Sequence, residues 1–415
     1  MKTLLICRSD LEFGADRAAY RLHRGLQQIG VESQMLVQNK LTDDPSVISP
    51  GGNLGKKLAN FRETFDALPL KFYRQRPPTM FWPEWVPDKL QSHVSHLNPD
   101  VINVHWICRG YMQWETLLKL NKPILWTFHD MWGFTGGCNY SEECDRYQQS
   151  CGKCPQLNSD KDWDLSRLVW NRKLKTLKNL NLVVVTPSQW MAECTRSSSL
   201  FKNVRVEVIP NGLDPQTYQP IDQKVARTLL KLPLDKQLIL FGAVSATSDH
   251  RKGFHLLQTT LQRLSKAGWR DQFELLVFGA SKPSNEIELG FKSHYLGKLN
   301  DDLSLALVYS AADVFVAPSI QDNLPNTVLE AIACGTPCVA FKIGGMPDLI
   351  DHQQNGYLAS AYEIDDLIQG ITWVLEDRER HQKLGQSARK KFEQGFTWEL
   401  QAHRYLSVLG EMVAG

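Results

Sequence analysis

In the run from Pro318 to Pro337, two acids, Asp322 and Glu330, stand with seven residues between them. A carboxylate accepts two hydroxyl hydrogen bonds at once, which suits a vicinal diol, so one acid fits a sugar and the other a ribose. Between them lie Asn323, Leu324, Pro325, Asn326 and Thr327. An apolar run ends near Ala317, Asn326 or its neighbour can serve as an N-cap, and Gly335 followed by Pro337 is a strong helix stop. The pattern therefore predicts a strand, a loop and a short helix whose N-terminus lies beyond the strand's carboxyl end, the place where open α/β sheets bind ligands. Backbone N–H groups and the positive dipole end there suit a diphosphate. The plainer alternative is a capping Asp followed by a solvent-facing Glu.

Other residues carry chemical potential. His105-Trp106 ends one apolar run and His129-Asp130 ends another, so both histidines are expected at carboxyl ends of strands. Structural histidines also occur there, and the spacing alone leaves the choice open. Gly14, in the loop Ser9 to Asp16, permits close backbone approach to a ligand. A single glycine is not the three-glycine dinucleotide fingerprint, and there is no Walker-type phosphate loop. Cys138, Cys144, Cys151 and Cys154 fall within seventeen residues, the last two as C-x-x-C. Four thiolates in one loop suit tetrahedral zinc in a structural role. Free or redox thiols and an iron–sulfur site are the alternatives.

Positioning these groups requires a regular frame. Short apolar runs at Lys2–Cys7, 34–37, 101–105, 124–128, 182–185 and 204–209 read as strands, with a helix over about 15–29 ended by Gly30. The alternation restarts with 238–242, 273–278, 314–316 and 338–341. Such runs between helical stretches imply parallel sheets covered on both faces, hence two α/β domains. Ile209-Pro210-Asn211-Gly212 is the natural break, giving domains 1–210 and 211–397. The 415 residues exceed one ordinary core. A charged fraction of 22% and a net charge of +2 describe a globular protein and give no nucleic-acid signal. The first apolar run is too short for a secretory leader and no later one spans a bilayer, so a cytoplasmic protein with reduced cysteines is expected. Residues 50–90 break the alternation: Lys56, Lys57, Arg62, Lys71, Arg74 and Arg76 mix with Leu54, Leu58, Phe61, Phe65, Phe72 and Tyr73. That composition fits a helix with its apolar face on the core, or one making peripheral membrane contact at the inner face.

The ordered motifs resemble the family-four retaining glycosyltransferases, whose hallmark is two glutamates separated by seven residues. Val208 to Asp214 is similar to the family's interdomain segment, and Arg251-Lys252-Gly253 to its diphosphate-binding Lys-Gly. Tyr295-Leu296-Gly297 is similar to the loop beside the base, Gly344 to Asp348 to the Gly-Gly turn, and Phe396-Thr397-Trp398 to the start of the C-terminal helix. Two departures stand out. Asp322 replaces the first Glu and is one methylene shorter. Gly242-Ala243 replaces a Gly-Arg, with Arg251 available to supply that charge. The resemblance implies the GT-B fold, two facing Rossmann-like, doubly wound domains with a cleft, and helix 398–415 returning to the first. It implies transfer of a hexose from a UDP- or GDP-sugar to a glycan or lipid-linked acceptor, with no cofactor required. His129, Asp322, Lys252 and Arg251 are then the catalytic candidates. Gly14, His105, Asp130, Leu296, Asn323 to Thr327 and Glu330 are the binding ones. The family lacks a clear protein nucleophile, and the donor's own phosphate is favoured to remove the acceptor proton. A nucleotide-sugar epimerase or hydrolase, or a non-catalytic nucleotide-sugar-binding protein, are the competing functions.

Overall fold

The computed structural model describes residues 1–51, 59, 61–178, 180–242, 249–279, 289–299 and 301–414. Ala243, Leu54, Lys56, Lys57 and Leu58 lie outside the described residues. The chain divides into two compact units, Met1–Pro210 with Gln401–Gly415, and Asn211–Leu400.

The first unit contains β1 (Lys2–Ser9), α1 (Gly14–Gln28), β2 (Glu32–Asn39), β3 (Val47–Ile48), α2 (Leu90–Leu97), β4 (Val101–Val104), β5 (Ile124–Thr127), α3 (Leu165–Leu177), β6 (Leu182–Thr186), α4 (Gln189–Ser197) and β7 (Arg205–Val208). Its sheet runs β3-β2-β1-β4-β5-β6-β7, and every pairing is parallel. The second unit holds α5 (Gln223–Leu229), β8 (Gln237–Gly242), α6 (Phe254–Leu264), β9 (Phe273–Phe278), β10 (Ser293–Tyr295), α7 (Asp302–Ala311), β11 (Val314–Ala317), α8 (Asn326–Ala333), β12 (Cys338–Phe341), α9 (Met346–Leu349), β13 (Gly356–Ala359), α10 (Ile364–Glu376) and α11 (Arg378–Gly395). Its sheet runs β10-β9-β8-β11-β12-β13, again all parallel. The last helix, α12 (Trp398–Ala414), carries the chain back to the first unit.

The central strands β4, β5, β6, β9, β11 and β12 are buried along their whole length. Unbroken apolar runs, rather than alternation, are what a doubly covered parallel sheet demands. The edge strands β3 and β10 escape a sequence reading because they are two and three residues long. In each unit the winding reverses beside the first strand, between β1 and β4 and between β8 and β11. Loops leaving those strand ends flank a crevice suited to ligands. Among the described residues no helix is long and apolar enough to cross a membrane.

The segment 61–72 corrects the core-facing expectation. Phe61, Phe65 and Phe72 are exposed, Phe72 to 89%, and the Phe61 and Phe65 rings contact each other at 4.6 Å. Buried Leu70 and Asp66 tie the segment down instead. The Asp66 carboxylate accepts from the backbone N–H groups of Glu84 and Trp85 at 3.1 and 2.8 Å.

Candidate functional site

In the second unit, the turn Asp249–Gly253 ahead of α6 meets the loop after β11. Asp249 caps a short turn, accepting from the Arg251 N–H at 3.0 Å, and Gly253 then opens α6 with φ +72. A Cβ at Gly253 would lie 1.8 Å from the Pro318 carbonyl oxygen, so only glycine lets the two loops touch. The contact is sealed by the Ile320 N–H, which donates to the Arg251 carbonyl at 2.9 Å.

That approach brings Lys252 and Arg251 onto Asp322. Lys252 Nζ donates to Asp322 Oδ2 at 2.7 Å, and an Arg251 guanidinium nitrogen lies 3.5 Å from the same oxygen. Asp322 is 6% exposed. Burial alone would push its carboxyl up, but the charges of Lys252 and Arg251 outweigh that and hold it below the ordinary carboxylate value. Its main chain is gripped too. Gly345 N–H donates to the Asp322 carbonyl at 3.2 Å, and a Cβ at Gly344, φ +49, would stand 2.0 Å from that oxygen. The Gly-Gly turn read from sequence is therefore a cradle for the first acid.

Helix α8 follows. Its N-cap is Pro325, the neighbour of Asn326, and no side chain caps it. Asn326 Oδ1 accepts from Asn211 Nδ2 at 3.1 Å instead. Glu330, the fifth residue of α8, is 4% exposed, which rules out the solvent-facing alternative. Its Oε2 accepts from the Tyr309 hydroxyl at 3.0 Å, and Tyr309 is itself fully buried. Asn323, Leu324 and Pro325 are buried in the loop, while Thr327 is half-buried. Leu296 follows β10, its N–H on the Val277 carbonyl at 2.8 Å, and packs partly buried against the core that contains Leu324. Sequence reasoning missed Tyr309, whose partnership with Glu330 depends on α7 lying beside α8.

In the first unit, β4 ends at Val104 and β5 at Thr127, one residue short of the expected ends, so both histidines sit just beyond their strands. Their rings stack with centroids 5.2 Å apart, and His105 Nδ1 meets His129 Nε2 at 2.9 Å. Burial lowers both, His105 well below the ordinary histidine value and His129 to about 4, so the pair is uncharged at neutral pH. Asp130 is occupied structurally: it accepts from Trp106 Nε1 at 3.0 Å, from the Trp132 N–H at 2.9 Å and from Asn139 Nδ2. Its carboxyl is raised by burial. Gly14 is exposed at the start of α1, whose N-terminus is closed by Asp16 accepting from the Phe13 N–H at 3.0 Å.

Beneath the turn after His129 lies Lys173, 1% exposed. It donates to the carbonyls of Trp132 and of Thr135, the latter at 3.0 Å, with its ammonium 3.9 Å from the Trp132 ring centroid. Burial lowers it to about 7. No motif announced it. Cys138, Cys144, Cys151 and Cys154 line one small cavity with Phe81, Tyr147 and Ser166, and none is in a disulfide. Burial raises Cys138 strongly, Cys151 to about 12 and Cys154 to about 11. Among the described residues no three Cys, His, Asp or Glu side chains are arranged to hold a metal ion, so the expected zinc finds no ready-made ligand set.

Residues 227–391 match the model of glycosyl transferases group 1, and residues 14–217 that of glycosyltransferase family 4. The chain belongs to this glycosyltransferase family. The putative colanic acid biosynthesis glycosyl transferase of Escherichia coli K12 is 25% identical over 282 residues, 65% of either chain and so less than two thirds of that relative. Among solved structures, sucrose-phosphate synthase from Thermosynechococcus elongatus superposes over 100% of both chains with a TM-score of 0.72 at 21% identity. HepE from Anabaena, solved with UDP-glucose, does so over 99% of this chain and 100% of its own, with a TM-score of 0.63 at 16% identity. The group 1 glycosyltransferase is thus an enzyme of the GT-B fold, built from two Rossmann-like domains.

Proposed function

We propose that this transferase moves a hexose from a UDP- or GDP-sugar to a glycan or lipid-linked acceptor, with retention, in the synthesis of a polysaccharide or glycoconjugate. The observation that carries the reading is the meeting of Lys252, Arg251 and Asp322 at the winding reversal beside α8, an N-terminus without a side-chain cap. Before the donor arrives, Asp322 holds Lys252 in place. When the diphosphate engages Lys252, Arg251 and the helix N–H groups, the carboxylate turns to the hydroxyls of the transferred sugar, and Glu330 takes the ribose diol. The anomeric carbon to phosphate-oxygen bond breaks as the bond to the acceptor oxygen forms, and the departing phosphate takes the acceptor proton. Charge grows on the leaving diphosphate, where preorganised cations and amides act most strongly. His129 is assigned to the donor's sugar or leaving group. The donor bound by HepE favours UDP and glucose among the choices.

Exposed Phe61, Phe65 and Phe72 beside Lys71 and Arg74 favour an enzyme that works at an anionic lipid surface, on the cytoplasmic side. No cofactor is required by this chemistry. A structural zinc in the cysteine loop remains a separate proposal, because four thiols share one cavity, and its sulfurs would have to draw together around the ion. Near-stoichiometric zinc in untagged protein supports it, and sub-stoichiometric zinc and iron remove it.

Incubation with a panel of nucleotide sugars, with and without acceptor, tests the main reading by release of nucleoside diphosphate and by the anomeric configuration of the product. Release that requires acceptor supports transfer. Release without any acceptor points to a hydrolase, conversion of the nucleotide sugar without net release to an epimerase, and neither with any donor to a binding protein.

A further inference from the structure

The second unit carries a cavity of about 270 Å³ that the donor chemistry does not use. Its lining comes from the turn with Gln353 and Gln354 ahead of β13, from Trp373 near the end of α10, and from the first turns of α11. All strands of this sheet run parallel, so a turn that precedes β13 lies at the sheet's amino end. Asp322 follows β11 and lies at the carboxyl end. The cavity and the acid site therefore occupy opposite ends of the unit. Drug-sized ligands fill pockets of about 300–1,000 Å³, and a single sugar residue suits this smaller space.

The lining has a definite chemistry. The Arg380 guanidinium stacks on the Trp373 ring, 4.5 Å from its centroid. Stacking holds the planar fork and leaves its N–H edge for a planar oxyanion. The acids beside it are engaged elsewhere. Asp377 Oδ1 caps α11 by accepting from the Arg380 backbone N–H at 3.0 Å, and Glu379 Oε1 accepts from Lys383 Nζ at 2.6 Å. Arg380 Nε is buried with no hydrogen-bond partner among the described residues. Buried Leu384 adds an apolar wall. Across the cavity, Gln353 holds a left-handed backbone, φ +61, which glycine or asparagine would adopt at less cost. The turn is locked, since the Gln353 N–H donates to the Gly356 carbonyl at 2.7 Å and the Asp351 N–H donates to Asn355 Oδ1 at 2.7 Å. Backbone strain of this kind gathers at ligand-binding positions. Both glutamines are exposed, and each carboxamide offers the donors and the acceptor that sugar hydroxyls require.

We propose that this cavity binds a glycan through a uronic acid residue, with the carboxylate on Arg380 and the ring hydroxyls on Gln353 and Gln354. It is a holding site and takes no part in the transfer itself. The glycan class rests on the transferase reading above. A chain held at a second point stays at raised effective concentration.

The probe is trigalacturonate, titrated into the full chain by calorimetry, with maltotriose as the neutral comparison. Trigalacturonate is expected to bind equally with and without saturating UDP or GDP. It should bind at least about tenfold more tightly than maltotriose, the factor one charge-assisted pair supplies. Arg380→Met should remove that advantage. Gln353→Gly should keep the melting temperature, because glycine relieves the left-handed backbone, and still weaken binding, which a merely structural role would not do. Four results each overturn the proposal: no binding by the wild type, equal affinity for the two trisaccharides, displacement by either nucleotide, or wild-type affinity in a folded variant. If Arg380→Met fails to fold, Gln353→Gly decides. Release of nucleoside diphosphate is followed separately. If the wild type turns over no donor, the transferase reading fails while the titrations still decide the cavity.

Discussion

Lys252 and Asp322 neutralise each other in a place where a diphosphate would need the cation and a sugar would need the acid. Lys252→Met should therefore lower kcat more than it raises the donor KM, because leaving-group charge develops in the transition state. An effect confined to KM would remove that role. The same variant has a stability signature. The folded Asp322 carboxyl lies below its unfolded value, so the pair stabilises the second unit above the ordinary carboxylate range and that stabilisation is lost as pH falls through it. Lys252→Met should cost about 1–3 kcal/mol near neutral pH, less than a fully orphaned buried charge because Arg251 remains. It should also flatten the fall in urea midpoint between neutral and acid pH, and a wild-type slope would contradict the pairing. Glu330→Ala should weaken donor binding by about 1.5–3 kcal/mol by calorimetry, the worth of hydrogen bonds to a charged group. Unchanged affinity would end the ribose assignment. The residue types of this site were legible because carboxylates, a Lys-Gly and a helix stop have local signatures. Their mutual contacts were not: Tyr309 on Glu330 and Gly344 under Asp322 join residues far apart in the chain, and no local pattern encodes a close approach of backbones.

At the level of elements, the strands and the helix after the acid loop follow from unbroken apolar runs and from Gly335-Thr336-Pro337. The edge strands do not: β3 and β10 are two and three residues long, and β13, also unread, opens on Gly356. The loop contacts matter as much as the elements they join. Gly253→Ala would place a methyl against the Pro318 carbonyl at a positive φ. It should destabilise the second unit by more than about 1 kcal/mol and lower donor binding with it, by thermal shift with and without nucleotide. Wild-type behaviour would show that the loops separate freely. The segment 61–72 shows where periodicity misleads: an apolar stripe normally marks a buried face, yet here the phenylalanines stand in solvent. Phe72→Glu should leave the melting temperature unchanged and reduce co-flotation with vesicles containing anionic lipid. Equal flotation of both proteins, or none by the wild type, would remove the membrane reading.

Over the whole molecule, the alternation of apolar runs with helices and its restart near Pro210 were enough to read two doubly wound units. The all-parallel winding explains why, since crossovers of one hand leave few other arrangements. What no local signal encoded is how deeply the C-terminus enters the first unit. Ala402, Tyr405, Val408 and Leu409 join the core that contains Leu5, Cys7 and Leu22, and the Tyr405 hydroxyl meets Thr127 Oγ1 at 3.0 Å at the end of β5. That arrangement imposes an order on synthesis. The ribosome releases the first unit's strands early, but its sheet stays uncovered along one stripe until α12 emerges. The second unit, continuous in sequence, can close in the meantime. The first unit is therefore completed only after the second, and for that interval its apolar face is the nascent chain's exposed flank.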